Sequence, residues 1–322
     1  CIKFLIFIVF IFFGCQHKIK ILNTNNNDTW LKVDIGIIGV ASFDILDSAL
    51  KDAIKNKYQA LIIQLDTPGG ALEATRQMVK TIMSSPVPII VWVGPRGSRA
   101  ASAGAFITLA SHVAAMASGT NIGAAHPVQI TGNNDSKNPM SQKIENDTIA
   151  FMESIAKSTN RNVEMAVSFV KVSTSITAEE ALQHNIIDII VDDIPELLRK
   201  INGREITLSD NKKILLNTHN AQVIEFEKNI KQQFLEILSN PNLFYLLFLA
   251  GIIGLGFELT HPGAIFPGVL GSISLILALI SMSVLPINFG AILLVLVGIA
   301  LLVVEMFLPS FGILGIGGFV AF

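Results

Sequence analysis

Hydrophobic positions along this chain fall into two regimes that divide near residue 240. From Trp30 to about Asn202, short apolar runs alternate with stretches whose apolar residues recur every three or four positions, the signature of strands alternating with amphipathic helices. The pattern predicts strands over Val33 to Val40, Ala60 to Leu65, Val87 to Val93, His112 to Ala117 and Ile186 to Val191. Between them it predicts a helix over Phe43 to Asn56, with Ile45, Leu46, Leu50 and Ile54 on one face, and another over Leu72 to Met83. A short helix follows Ser102, and one capped by Ser141 runs to about Ser158. Thr177 and Glu180 form a capping-box pair. Gly119 to Ser141 reads as a long polar loop, Gly203 to Thr218 as a small β appendage, and Ala221 to Ser239 as an amphipathic connecting helix. Repeated strand-then-helix order predicts a layered α/β domain over residues 30–202, with appendage and connecting helix over 203–240.

Beyond Pro241 the periodicity gives way to long apolar runs, Leu243 to Phe257, Ala264 to Leu285 and Phe289 to Phe307, with a fourth opening at Phe311. With flanks, the middle two reach the ~20 residues of a bilayer span, so 241–322 is expected to be an all-α transmembrane region. Glu258, Pro262, Gly268 and Gly271 recur in order and spacing as Glu305, Pro309, Gly315 and Gly318. Each glutamate closes one run, either as an intramembrane polar site or at the membrane interface, the latter being favoured. At the other end, residues 1–15 hold Lys3 and an apolar run from Phe4 to Phe13, read as a signal peptide or N-terminal anchor, and 16–29 is a polar linker. Cys15 is a candidate for lipidation, against an ordinary signal peptide or uncleaved anchor.

Composition sharpens this division. The 322 residues are 51% hydrophobic and 15% charged, with a mean hydropathy of +0.57. No Lys or Arg follows Lys231, and the only acids beyond it are Glu236, Glu258 and Glu305. A multi-pass membrane protein is expected. Its loops give no positive-inside signal, so an extracytoplasmic α/β domain is inferred from the N-terminal segment alone. The net charge of -2 gives no basic patch for nucleic acid. Cys1 and Cys15 are the only cysteines, which leaves the α/β domain without thiolate metal or disulfide chemistry.

Candidate chemistry lies at two neighbouring strand ends. Asp66-Thr67-Pro68-Gly69-Gly70 leaves one strand and Gly97-Ser98-Arg99-Ala100-Ala101-Ser102-Ala103-Gly104 follows the next. Successive strands of a parallel sheet end on the same edge, so both loops are expected to face one crevice. Glycines there let backbone N–H groups reach a developing oxyanion, and Gly70 with Ala103 are the candidate donors. Ser102, flanked by small residues at a helix start, is either a helix N-cap or a nucleophile, and the adjacent glycine turn favours the nucleophile. Its base is Lys143, whose amine a helix N-terminus and apolar neighbours would help keep neutral, or His126 in a Ser-His-Asp arrangement. The bland reading of Lys143 is a solvated surface lysine.

The segments Asp66 to Gly70, Arg99 to Gly104, Gly119-Thr120-Asn121-Ile122-Gly123-Ala124 and Lys143-Ile144-Glu145-Asn146, with Glu258 to Gly271 and Glu305 to Gly318, resemble the long-form NfeD family. These are membrane-bound serine proteases of the Clp-protease/crotonase fold found with stomatin-like proteins. The resemblance implies a Ser102–Lys143 dyad with Gly70 and Ala103 in the oxyanion hole, and a demoted His126. It implies no metal or organic cofactor, hydrophobic peptide or membrane-protein substrates such as a stomatin-like partner, and a homodimer or higher oligomer. It also implies a C-terminal β-barrel, so the chain is expected to continue beyond Phe322. Competing readings are a scaffold for a stomatin-like protein with a latent dyad and, less favoured, crotonase-like acyl-CoA chemistry.

Overall fold

The structure, a computed structural model, describes residues 28–127, 139–209, 212–261, 265–284 and 297–298. In chain order the α/β part runs β1 (Thr29–Ile35), α1 (Val40–Asn56), β2 (Ala60–Leu65), α2 (Leu72–Met83), β3 (Ile89–Val93), β4 (Arg99–Ala101), α3 (Ala103–Ala110), β5 (Val113–Met116) and β6 (Asn121–Gly123). It continues with α4 (Pro139–Ser158), α5 (Val163–Lys171), β7 (Ser175–Thr177), α6 (Ala178–Gln183), β8 (Ile189–Ile190), α7 (Ile194–Ile201), β9 (Glu205–Thr207), β10 (Lys213–Leu215) and β11 (Gln222–Glu225). Three helices come next, α8 (Ile230–Leu238), α9 (Pro241–Thr260) and α10 (Ile265–Val284).

The main sheet has the order β11-β1-β2-β3-β5-β8, and every pair in it is parallel. Both faces are covered, and the alternation of side chains along each strand sorts them into two cores. Leu31, Val33, Leu61, Ile63, Ile89 and Val91 point into the core beneath α1 to α6. Trp30, Ala60, Ile62, Ile90, Trp92 and Val113 point the other way, onto α7 and the β9–β10 hairpin. Because β2 and β3 are buried on both faces, their sequences are apolar runs rather than alternating ones, broken in β2 only by the half-buried Gln64.

Several expectations shift. The first strand is Thr29–Ile35, and Val40 already belongs to α1, because Gly36 to Gly39 leaves the sheet and Ile38 bridges Gly70. Ile54 is exposed; the buried stripe of α1 is Ile45, Leu46, Ala49, Leu50 and Ala53. Asn121–Gly123, expected as loop, is strand β6, parallel to β4 and antiparallel to β7 in a separate three-stranded sheet. Helix α4 starts at Pro139, so Ser141 lies inside its first turn. Ala221 to Ser239 is not one helix. Gln222–Glu225 pairs along β1 as the edge strand of the main sheet, and only Ile230–Leu238 is helical, capped by Asn229 accepting from Gln232 N–H at 2.9 Å. The expected boundary at Asn202 therefore cuts a sheet that Gln222–Glu225 completes.

Helices α9 and α10 pack closely through glycine. A Cβ on Gly254 would lie 2.5 Å from Pro267 O, and one on Gly271 would lie 2.8 Å from Leu255 N. The carboxylate of Glu258 lies against Gly268 of α10. Among the described residues no single helix is long and apolar enough to cross a membrane. The pair Ile230–Leu238 and Asn242–Glu258, bent by 79°, meets that length and composition together. The expected N-terminal segment, the run from Phe311, Glu305, and the run from Phe289 apart from residues 297–298 lie outside the described residues.

Candidate active site

The carboxyl ends of β2 and β3 lead into the Pro-Gly-Gly turn and the Ser102 loop, and backbone hydrogen bonds stitch the two together. Thr67 N–H donates to Arg99 O at 2.8 Å, Ala101 N–H to Thr67 O at 3.1 Å, and Arg99 N–H to Asp66 Oδ1 at 3.0 Å. On its other side the Pro-Gly-Gly turn pairs with Ile38, which donates to Gly69 O at 3.0 Å and accepts from Ala71 N–H at 2.9 Å. Gly69 has φ +122°, and a Cβ there would stand 2.7 Å from Ser102 Cβ and 3.1 Å from Ser102 Oγ. Glycine is thus required twice over, by conformation and by the closeness of Ser102. A Cβ on Gly70 would fall 1.8 Å from Ile38 O.

Ser102 joins β4 to α3 with φ 52° and ψ -112°, a sharp strand-to-helix turn of the kind that raises a nucleophile above its surroundings. Its N–H donates to Gly123 O at 2.8 Å, so strand β6 holds the turn in place. The hydroxyl caps nothing, since no side-chain hydrogen bond closes the N-terminus of α3. Among the described residues Ser102 Oγ makes no hydrogen bond, and neither do the N–H groups of Gly70 and Ala103. Helix α3 is buried along its whole length, and its N-terminal partial positive charge is directed at this spot.

The two candidate bases lie elsewhere. Lys143 is exposed on the second turn of α4 and is not hydrogen-bonded to Ser102. It shares a helix face with Asp147 and Phe151, at spacings of four residues. Asp147 accepts from Arg76 of α2 at 2.5 Å, and Phe151 stacks on Phe106 of α3 at 5.4 Å beneath the Arg76 guanidinium. These contacts set that face of α4 over α2 and α3, the helices whose first turns flank Ser102. Lys143 lies two turns from Phe151, with only Thr148 and later residues of α4 fully buried. His126 is exposed, with Nδ1 2.9 Å from Val170 O. A carbonyl can only accept, so Nδ1 carries the proton and Nε2 is the basic atom; it too makes no bond to Ser102. The structure therefore brings together Gly69, Gly70, Ser102 and Ala103, and leaves Lys143 and His126 apart from them.

Sequence reasoning missed the part played by Gly123. With φ +131° and a would-be Cβ 2.3 Å from Thr174 O, it lets β6 and β7 close under Ser102. A three-residue strand carries too little periodicity to be read, although the two glycines of Gly119 to Gly123 hint at tight backbone. Among the described residues no group of His, Cys, Asp and Glu is arranged to hold a metal.

Comparison with known proteins agrees with this architecture. Residues 38–224 match the NfeD1b N-terminal domain and residues 242–322 the NfeD integral membrane domain, so the chain belongs to the NfeD family of membrane proteins. It is 36% identical over 288 residues to the membrane-bound protease PH1510 of Pyrococcus horikoshii, covering 89% of this chain and 65% of that one. To the membrane protein NfeD1b of Bacillus subtilis it is 29% identical over 289 residues, covering 88% and 63%. The chain thus spans less than two thirds of the length of these curated relatives. Among solved structures, the 1510-N membrane-bound stomatin-specific protease, as a lysine-to-alanine mutant with a substrate peptide, superposes with a TM-score of 0.61 at 34% identity. That match covers 66% of this chain and 98% of that one. A serine-to-alanine mutant of the same protease gives 0.59 at 36% identity, covering 64% and 100%.

Proposed function

We propose that this chain is a membrane-anchored serine endopeptidase with a Ser102–Lys143 dyad. The observation that carries the reading is the Ser102 turn, a strained, uncapped hydroxyl against Gly69 with two unused N–H groups beside it. In the mechanism, the neutral Lys143 amine takes the Ser102 proton as the oxygen attacks a peptide carbonyl carbon. Gly70 and Ala103 N–H groups hold the resulting oxyanion, and the lysine ammonium returns the proton to the departing amine. Water, deprotonated by the same lysine, then hydrolyses the acyl ester. Further support comes from the two variants of the archaeal protease. The serine and the lysine replaced in them are separated by the same number of residues as Ser102 and Lys143.

The substrate proposed is a hydrophobic segment of a membrane protein, with a stomatin-like protein as partner, since the archaeal relative is described as stomatin-specific. The active form is a homodimer or higher oligomer, multi-pass in the membrane, with the α/β domain on the extracytoplasmic side. A second reading, a scaffold whose dyad stays open, is favoured by one observation, the missing Ser102–Lys143 hydrogen bond.

Cleavage of an apolar peptide panel by the detergent-solubilised chain separates the two. Wild type is expected to cleave, with Ser102→Ala and Lys143→Ala each reducing the rate ~10³-fold or more as members of one unit. Retained activity in Lys143→Ala with loss in His126→Ala would assign the base to His126. No cleavage by an oligomer that binds its partner would establish the scaffold.

A further inference from the structure

Helix α8 is pinned to the α/β domain through Gln232 and leaves an apolar stripe open on the opposite face, which a simple connector does not require. One face is docked: the buried Gln232 donates from Nε2 to Ser48 Oγ at 2.9 Å and to Asp44 Oδ2 at 3.1 Å on α1. The other carries Ile230, Phe234 and Ile237, which at spacings of four and three fall in one stripe and are 71%, 45% and 55% exposed. No charged residue interrupts the stripe. Lys231, exposed at its edge, can extend its ammonium along it.

The membrane helices on the C-terminal side of α8 indicate what covers this stripe. The helix axis turns by 79° between Ile230–Leu238 and Asn242–Glu258, and residues from 242 onward belong to the integral membrane domain. Ser281 Oγ, near the end of α10, donates to Leu238 O at 2.5 Å. The returning helix of the α9–α10 pair therefore ends beside α8, at the same side from which α9 departs. With α9 directed into the bilayer, α8 cannot prolong that span and runs nearly in the membrane plane. Its docked face holds the α/β domain, so its open stripe is turned to the lipid.

We propose that α8 is an interfacial helix, lying on the bilayer with Ile230, Phe234 and Ile237 sunk among the lipid glycerols and upper acyl chains, and carrying the α/β domain on its back. Exposed apolar surface continuous with a membrane insertion is what such helices bury, ~5–10 Å into the headgroup and acyl boundary. The occupant is the lipid surface itself. A second copy of the chain is the competing occupant.

The test uses the full chain with Cys1→Ser and Cys15→Ser, carrying Phe234→Cys or Ile230→Cys labelled with an environment-sensitive nitrobenzoxadiazole dye. It is reconstituted in phosphatidylcholine–phosphatidylglycerol vesicles containing lipid nitroxides near the glycerol or at the acyl terminus. Both labels are expected to be quenched at least about twofold more by the shallow nitroxide than by the deep one. A label at Lys55→Cys, exposed at the end of α1, should be quenched by neither. Labels open to an aqueous quencher and untouched by both lipids would overturn the proposal. So would labels shielded from water, untouched by lipid, and uncovered as the protein-to-lipid ratio falls, which would assign the stripe to a second copy.

Discussion

Ser102 is held where few non-glycine residues settle. At φ 52° and ψ -112° the backbone is strained by about 1–3 kcal/mol, which the surrounding fold must offset. The constraints are visible: Gly123 O takes its N–H, Gly69 packs on its side chain, and Gly104 behind it leaves no room beside Thr67, where a Cβ would approach to 2.7 Å. Glycine at position 102 would relieve the strain that alanine retains. Ser102→Gly is therefore expected to be more stable than Ser102→Ala by about 1 kcal/mol, the reverse of the usual order. Denaturant unfolding measures it, and because Trp30 and Trp92 both lie in the sheet core tryptophan fluorescence reports the α/β domain alone. An alanine variant as stable as the glycine one would mean the turn is unstrained.

At the scale of elements, His112 ties the start of β5 to the start of β3. Its Nδ1 accepts from Ile89 N–H at 3.1 Å and its backbone N–H donates to Ile89 O at 3.0 Å. Burial pushes the imidazole below its ordinary range. The unfolded chain then binds a proton that the folded one refuses, so stability is full above pH ~6.5 and falls as the pH drops below it, by at most ~1.4 kcal/mol per unit. Tryptophan-monitored unfolding at pH 7 and pH 5 should show this loss, and His112→Asn should flatten it; an unchanged slope in the variant would place its origin elsewhere. Asp188 acts in a lower window. Burial alone would raise its carboxyl, but the Arg161 charge, the Ala114 N–H and Arg204 hold it below the usual carboxylate range. Its contribution is whole above the ordinary carboxylate range, fades as the pH falls below that range, and is gone once the pH has passed the depressed value.

These elements are unequally legible in the sequence. The central strands announce themselves because burial on both faces makes Ile89–Val93 wholly apolar and Ala60–Leu65 apolar at every position but Gln64. The meeting of the Pro-Gly-Gly turn with Ser102 is foreseeable from the rule that parallel strands end on one edge. Gln222–Glu225 escapes the pattern because Val223 and Ile224 fit a helical stripe as well as a strand, and pairing with β1 is a tertiary choice that no local period reveals. The separation of Lys143 from Ser102 is set by how α4 lies over α2 and α3, again a matter of packing.

For the whole molecule, α8 is a junction that touches both the α/β domain and the membrane helices. Gln232 is its polar pin, almost wholly buried and bonded to Asp44 and Ser48, while Ser281 holds the other end at Leu238. The pinned helix α1 begins just after Ile38, which pairs with the Gly69 turn. A displacement of α8 would thus reach the segment whose Ile38 holds the Gly69-Gly70 turn. Gln232→Ala removes the donor and leaves Asp44 and Ser48 without it, while the sheet core keeps every contact. Amide hydrogen exchange across Ile230–Leu238 is expected to quicken about tenfold, equivalent to ~1.4 kcal/mol of local stability, with β2 and β3 unchanged. Faster exchange in the sheet as well would show that α8 is part of the core. No change in α8 would transfer the junction to the Ser281 contact and the packing of α10, and Ser281→Ala would then be the variant that loosens it.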